Sequence, residues 1–167
     1  MLNLDNLTND IKLCPILPAT QIRRKSTAVD LISTPPEAIL NILWRLIRAC
    51  SSRVGAGIAA PQLGIFKRIF VARSDSNEKE FGVFINPSFI PIESNKTEVK
   101  PEGCLSVPGK TVPVKRFFAI QAEWQELYGD GSLVACNERL EGFAARVFQH
   151  ELDHLNGVTL LDKIKSR

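Results

Sequence analysis

The sequence lacks the features that mark membrane, secreted and zinc-ribbon proteins. No apolar run reaches the roughly 18 residues that a membrane-spanning helix needs. The first twelve residues mix Asn, Asp and Thr with Leu, which is unlike a secretory signal peptide. The cysteines form no Cys-x-x-Cys pair, which argues against a zinc ribbon or finger; they are Cys14, Cys50, Cys104 and Cys136. We therefore expect a cytoplasmic protein with free thiols and no membrane partner.

A strong excess of charge of one sign is also missing. The formal net charge is +3, and 23% of the residues are charged against 44% hydrophobic, an ordinary balance for a globular protein. Such a mild positive charge permits weak contact with a ribosome but does not require it, and we expect no specific nucleic-acid partner. With 167 residues and no repeats or linkers, residues 1–167 are expected to form a single domain.

Hydrophobic patterning predicts an α+β fold. An amphipathic helix is expected from about residue 36 to 51, and a second helix from about 141 to an Asn-Gly cap at 156–157. The charged stretch 93–100 is expected to be an exposed excursion, and 128–131 a hairpin turn. Segments rich in Ile, Val, Phe and Trp predict strands at 68–72, 81–86, 111–114, 117–125 and 132–137. The prediction is antiparallel strands packed around a central C-terminal helix, with an N-terminal helix.

Both histidines of the chain lie in the hexapeptide Gln-His-Glu-Leu-Asp-His at 149–154. On a helix, the i, i+4 spacing places His150 and His154 on one face, one turn apart, with Glu151 beside them. Two imidazoles so placed can bind one metal ion, and the carboxylate can act on a water molecule next to it. Asp153 belongs to a neighbouring stripe and is expected to face solvent or a supporting partner. The alternative is a surface helix that carries these residues by chance.

A catalytic site of this type needs a third protein ligand and an open position. The 13 residues after His154 contain no His or Glu, and their one acid is Asp162. The third ligand is therefore expected upstream, as a Cys, Asp or Glu. Cys104 is the best candidate, because it lies in a short segment with a glycine before it and prolines at 101 and 108. The alternative is that Cys104 is a buried thiol without function.

Three segments resemble, in order and spacing, the signature motifs of the peptide deformylases. They are Gly-Ala-Gly-Ile-Ala-Ala-Pro-Gln at 55–62, Glu-Gly-Cys-Leu-Ser at 102–106, and Gln-His-Glu-Leu-Asp-His at 149–154. The resemblance implies one catalytic domain that removes the N-formyl group from the initiator methionine of newly made polypeptides. Its partners would be N-formylmethionyl nascent peptides in a bacterial-type or organellar translation compartment.

The resemblance also implies a role for each site residue. Metal-activated water would attack the formyl carbonyl, with Glu151 as general base and then general acid. The metal would natively be Fe²⁺, with Zn²⁺, Ni²⁺ or Co²⁺ as possible replacements. Its implied ligands are Cys104, His150 and His154.

Substrate contacts follow from the same resemblance. Gln62 and the backbone N–H of Leu105 would stabilise the oxyanion, since losing one such donor typically costs about 3 kcal/mol of transition-state stabilisation. The peptide would lie extended between Gly57 on one side and Gly103 and Leu105 on the other.

Two departures from the family pattern affect these expectations. The usual arginine partner of Glu102 is displaced, which leaves Arg116 or Arg146 as candidates. The long C-terminal helix that some members use on the ribosome does not follow residue 157 in this sequence, so only weak ribosome contact is expected.

Two rival functions stay open at this point. One is a metal-dependent peptidase or amidase that acts on other substrates. The other is a homologue that keeps the fold without turnover.

Overall fold

The computed structural model describes residues 2–3, 14–73, 80–128 and 130–165. Most of the first twelve residues, and Gly129 of the expected turn, lie outside this part of the chain. The helices are α1 (Pro36–Ser51), α2 (Gly142–Leu155) and α3 (Leu160–Lys165), with 3₁₀ turns at Ala19–Gln21 and Ala60–Leu63. The strands are β1 (Leu2–Asn3), β2 (Gly57–Ala59), β3 (Ile69–Arg73), β4 (Glu80–Cys104), β5 (Val107–Leu127) and β6 (Leu133–Glu141). None of the helices described is long and apolar enough to cross a membrane.

All the strand pairs are antiparallel, and the sheet runs in the order β2-β3-β4-β5-β6, with β1 added against β4. The α+β prediction is confirmed, as are both long helices. The excursion expected at 93–100 is wrong for Thr97 to Lys100, which pair with Phe117 to Val114 in the β4–β5 ladder, whereas residues 93–96 lie in a register shift between Ile92 and Thr97. That shift, and another between Ile85 and Ser88 that spans Pro87, allow one long strand to continue past residues that are typical of breaks.

The helices pack against the sheet through separate apolar clusters. From α1, Leu43, Leu46 and Ile47 are fully buried in a cluster with Ile58 and Val71. This arrangement follows from the 3.6-residue spacing of the α1 apolar face, which leaves its arginines toward the surface. The first cluster places the segment after α1 beside the start of β2.

Phe148 anchors α2 in the second cluster. Its ring meets the Phe70 ring edge-on at a centroid distance of 5.2 Å and the Phe84 ring at 5.5 Å. Leu152 and Leu155 extend the same buried face. Aromatic rings packed in this way restrict the rotation of a helix about its own axis. The side chains of His150, Glu151 and His154 on the same helix therefore point in fixed directions.

Candidate active site

The α2 helix brings the two histidines together as the spacing predicted. The ring centroids of His150 and His154 lie 4.9 Å apart with the ring planes at 84°. His154 is buried, with 1% of its surface exposed, whereas His150 is partly open to a cleft. Two imidazoles one helical turn apart therefore converge at the floor of this cleft.

Cys104 reaches the same point from the end of β4. The chain reverses tightly there, since Cys104 pairs with Val107 at the start of β5. The Cys104 sulfur lies 3.3 Å from Nε2 of His154. One ligand atom from each of Cys104, His150 and His154 falls within 4.8 Å of the other two. Across the described ranges, this is the one group of three or more His, Cys, Asp or Glu side chains close enough to bind a metal.

The donor set fits a single divalent transition metal. One thiolate and two imidazoles are soft to borderline ligands, which suit iron, cobalt, nickel and zinc better than magnesium or calcium. Three protein ligands leave a coordination position for the reaction. Beside them, Oε2 of Glu151 is buried without a hydrogen-bond partner among the described residues. An unpaired buried carboxylate oxygen is costly unless water or substrate completes its hydrogen bonding.

Glu102 contacts His150 and is paired with both of the arginines that the sequence offered as its partner. Arg116 donates to both carboxylate oxygens of Glu102, at 3.0 and 2.9 Å, and Arg146 donates to Oε1 at 2.6 Å. His150 Nδ1 lies 3.0 Å from Oε2 of the same carboxylate. Although burial alone would raise the pKa of Glu102, hydrogen bonds from His150 and Arg116 lower it to about 2. Both candidate arginines therefore pair with an ionised carboxylate.

Asp153 is turned away from the metal-binding group, as expected. Its Oδ2 accepts a hydrogen bond from Arg116 at 2.5 Å and lies 3.0 Å from the Lys163 ammonium. Arg116 thus links Asp153 on α2 to Glu102 on β4. This link fixes the helix that carries the histidines to the strand that carries Cys104.

Glu151 lies against the backbone of Gly57. A Cβ atom at position 57 would stand 2.8 Å from Oε1 of Glu151, closer than real contacts allow. Glu151 is 4% exposed, and burial raises the pKa of its carboxyl to about 7. A side chain at position 57 would therefore displace the Glu151 carboxyl.

Gln62 is oriented by its own turn. Its side-chain oxygen accepts a hydrogen bond from the backbone N–H of Ala59 at 2.9 Å, which leaves the amide nitrogen to point toward the site. That nitrogen donates to the Ser106 hydroxyl at 3.2 Å and lies 3.8 Å from the Cys104 sulfur. Ser106 was not singled out from the sequence, although its place two residues after Cys104 in the second motif was a usable signal.

A cavity of about 690 Å³ opens over these groups. The predicted substrate-contacting residues Gly57, Gly103 and Leu105 all line it, together with Gln62, Cys104, His150 and Glu151. Two exposed apolar side chains on its rim, Val54 and Phe143, were not anticipated from sequence. Their exposure depends on the tertiary arrangement of α1, β2 and α2, which composition does not reveal.

A cysteine and two histidines whose ligand atoms converge beside a buried carboxyl fit the class of metal-dependent hydrolases. The family model "Polypeptide deformylase" matches residues 14–167. The chain belongs to the polypeptide deformylase family.

Individual relatives agree with this membership. The chain is 42% identical over 128 residues to the peptide deformylase of Thermotoga maritima, covering 77% of this chain and 73% of the relative. It is also similar to the crystal structure of peptide deformylase from Thermotoga maritima, with a TM-score of 0.78, 36% identity, and coverage of 91% of this chain and 97% of that one. A peptide deformylase of Acinetobacter baumannii bound to Met-Ala-Ser gives a TM-score of 0.76 at 26% identity, covering 91% and 98%.

These findings confirm the family, the fold and the reaction inferred from the three motifs. The protein is a metal-dependent hydrolase that removes the N-formyl group from newly made polypeptides. The geometry brings the predicted site residues together, while the role of each residue stays a prediction.

Proposed function

We propose that Cys104, His150 and His154 bind one divalent metal ion, natively Fe²⁺, which Zn²⁺, Ni²⁺ or Co²⁺ can replace. The observation that carries this proposal is the convergence of three ligand atoms within 4.8 Å, beside the buried Glu151 carboxyl. A thiolate ligand favours such metals over oxygen-seeking ions. When bound, the metal lowers the pKa of water and polarises the formyl carbonyl.

Glu151 serves as the general base and then the general acid. It takes a proton from the attacking water as the new C–O bond forms. It then gives a proton to the methionine nitrogen as the C–N bond breaks, which releases formate and a free amine. A carboxyl with a pKa of about 7 suits both transfers, because it can accept and return a proton near neutral pH.

The oxyanion that develops on the formyl oxygen is stabilised by the Gln62 side-chain amide and the backbone N–H of Leu105. The support for Gln62 is its fixed orientation, since Ala59 holds the side-chain oxygen and leaves the N–H₂ group toward Cys104. Neutral donors that are already in place stabilise this charge without having to reorganise during the reaction.

The formylated peptide lies extended in the cleft, with Gly57 on one side and Gly103 and Leu105 on the other. On the main path of the sheet, β2 is the terminal strand, so an extended peptide can pair with its backbone. The Met-Ala-Ser complex of the Acinetobacter baumannii relative supports a peptide of this kind as the ligand.

We further propose that residues 1–167 act as a single catalytic domain in a bacterial-type or organellar translation compartment, which is a cytoplasmic setting in bacteria. Contact with the ribosome is weak, and neither a membrane nor a specific nucleic acid is a partner. Support comes from the reaction itself, since formylated nascent chains arise only where such translation occurs, and from the mild net charge of +3.

The test compares two peptides on protein purified anaerobically with Fe²⁺ or Ni²⁺. We expect release of a free amine and formate from formyl-Met-Ala-Ser and none from acetyl-Met-Ala-Ser. Cleavage of internal peptide bonds would instead indicate a general peptidase. Metal-loaded protein that turns over neither peptide would indicate a non-catalytic homologue.

A further inference from the structure

Val54 adopts a backbone conformation that a valine rarely takes. Its φ is +53°, in the left-handed region, where β-branched side chains clash with their own backbone. The cause is the way α1 ends. The N–H of Gly55 donates to Cys50 O at 3.0 Å and that of Val54 donates to Ser51 O at 3.3 Å, the two bonds of a Schellman motif. Val54 thus occupies the position in this motif that glycine usually fills.

Nothing in the fold compensates for this conformation. The Val54 side chain is 88% exposed, so it contributes almost no packing. The neighbouring position is tightly packed, because a Cβ at position 55 would lie 3.1 Å from both the Cys50 sulfur and a Leu105 methyl carbon. A glycine at position 54 would relieve the strain at no cost in burial. A strained, exposed apolar residue of this kind indicates a functional constraint.

The position of Val54 in the cleft indicates that the functional constraint concerns substrate binding. Val54 lines the same cavity as Gln62 and Glu151, at its rim. Gly57, beside Glu151, is three residues away along the chain, so at most about 10 Å separates it from Val54. An extended peptide rises about 3.3 Å per residue, so a peptide whose formyl group lies beside Glu151 spans this range within its first three residues.

We infer that Val54 is a specificity-determining residue, which selects formylated peptides with an apolar side chain at their third residue. Phe143, which is 61% exposed on the same rim, extends the apolar surface that such a side chain would cover. This inference rests on the proposed function and on the extended placement of the peptide. In the free protein the exposed valine contributes almost no burial, and the side chain of a bound peptide would supply the apolar contact that Val54 lacks.

The experiment uses three variants of the metal-loaded protein and two substrates. Val54→Gly and Val54→Asn relieve the backbone strain and remove the apolar contact, since both residues tolerate the left-handed region. Val54→Leu keeps an apolar side chain and serves as the matched control. For each protein, kcat and KM are measured with formyl-Met-Ala-Leu and formyl-Met-Ala-Ser, and the midpoint of thermal unfolding is recorded.

For the wild type, we expect KM to be on the order of five-fold lower for the leucine peptide, because a partly buried side-chain contact is worth roughly this much. In Val54→Gly and Val54→Asn the KM values for the two peptides should become equal, while the midpoint of thermal unfolding rises by about 3 °C. Val54→Leu should keep the preference. A purely structural valine would change the midpoint without changing the ratio of the two KM values.

Two results would overturn the inference. One is a wild type that deformylates both peptides with equal KM, and the other is a preference that persists in Val54→Gly. In either case the proposed function still stands, because formate is released. If the wild type releases formate from neither peptide, the proposed function fails and this inference fails with it.

Discussion

Oε2 of Glu102 and Nδ1 of His150 are joined by a hydrogen bond of 3.0 Å. Because the pKa of Glu102 is lowered to about 2, its carboxylate is ionised near neutral pH and can only accept. The hydrogen bond therefore holds a hydrogen on Nδ1 of His150, and Nε2 is the ring nitrogen that would bind a metal together with Cys104 and His154. Glu102 thus orients one proposed metal ligand although it belongs to no ligand set itself.

Glu102→Gln should weaken metal binding by about 10- to 100-fold, the usual effect of losing a carboxylate that orients a histidine ligand. The amide is a poorer acceptor for His150 and places an N–H₂ group against Arg116 or Arg146. Affinity is measured by competition with a coloured chelator. Glu98→Gln is the control, since the Glu98 carboxylate pairs with Lys100 away from the cleft. Equal affinity in the two variants would contradict the role of Glu102.

Cys104→Ala should no longer retain stoichiometric metal after gel filtration, because two imidazoles alone bind a divalent ion weakly in this open cleft. The matched control is Cys136→Ala. Its thiol contacts Glu126 and the β6 backbone, and Cys136 is not among the residues that line the cleft. Metal content is read by elemental analysis of protein loaded with Ni²⁺. Stable metal binding in Cys104→Ala would remove the cysteine from the proposed ligand set.

Glu151→Gln should keep its metal and lose about 10²- to 10⁴-fold in kcat, the range expected when a general acid–base group is removed. The isosteric amide fills the same space beside Gly57, so the fold and the ligands stay in place. Single-turnover release of formate measures the loss of proton transfer, and the metal content shows whether metal is lost as well. Near-normal turnover in this variant would show that another group moves the proton.

Local features of the sequence predicted the two long helices and the metal-binding group. The i, i+4 spacing places His150 and His154 on one face of any helix that contains them, and the apolar period of α1 is equally local. Cys104 could be chosen because a glycine precedes it and prolines at 101 and 108 flank its short segment. Sequence alone could name Arg116 and Arg146 as partners of Glu102 but could not say which of them pairs with it. Which one pairs with Glu102 depends on β5 and α2 meeting behind β4, and both arginines do so.

The strand boundaries could not be predicted from the sequence, because they depend on pairing between residues far apart in the chain. The strands expected at 111–114 and 117–125 are one strand, β5, because its partner β4 bends with it through register shifts. Prolines and charges in β4 are typical of breaks, and only the cross-strand partners show that they lie at bulges or on an exposed face. The left-handed conformation of Val54 was not predicted for a similar reason. Glycine is the usual residue at the end of a helix, and the sequence places a glycine at 55, not at 54.

Gly57→Ala should reduce kcat by about 10²-fold while metal content stays at the wild-type level. The new methyl group would lie 2.8 Å from Oε1 of Glu151, so the carboxylate must move, and displacing a catalytic group by about 1 Å typically has this effect. None of the three proposed ligands contacts position 57 in the same way. A Gly57→Ala enzyme with full activity would show that the position of Glu151 is not critical to the reaction.

Asp162 should stabilise the fold in a pH-dependent way through the turn that begins α3. Its Oδ2 accepts hydrogen bonds from the backbone N–H and the hydroxyl of Thr159, at 2.8 and 2.9 Å, and Arg23 pairs with Oδ1. Burial acts to raise the pKa of Asp162, but the Thr159 hydrogen bonds and the Arg23 charge outweigh it and lower the pKa below the usual range of an aspartate.

A carboxyl whose pKa is lowered by folding contributes stability above the unfolded pKa and loses it as the pH falls through the folded pKa. At pH 6, Asp162→Asn should therefore reduce the free energy of unfolding by about 1 kcal/mol, the usual value of such a capping interaction. The difference between wild type and variant should shrink steadily below pH 4, as Asp162 becomes protonated in the folded protein. Denaturant unfolding of both proteins, side by side from pH 6 to pH 3, measures this difference directly. Metal loss in acid affects both proteins equally and cancels, so a gap that stays constant over this range would rule out a charged Asp162 as the source of the stability.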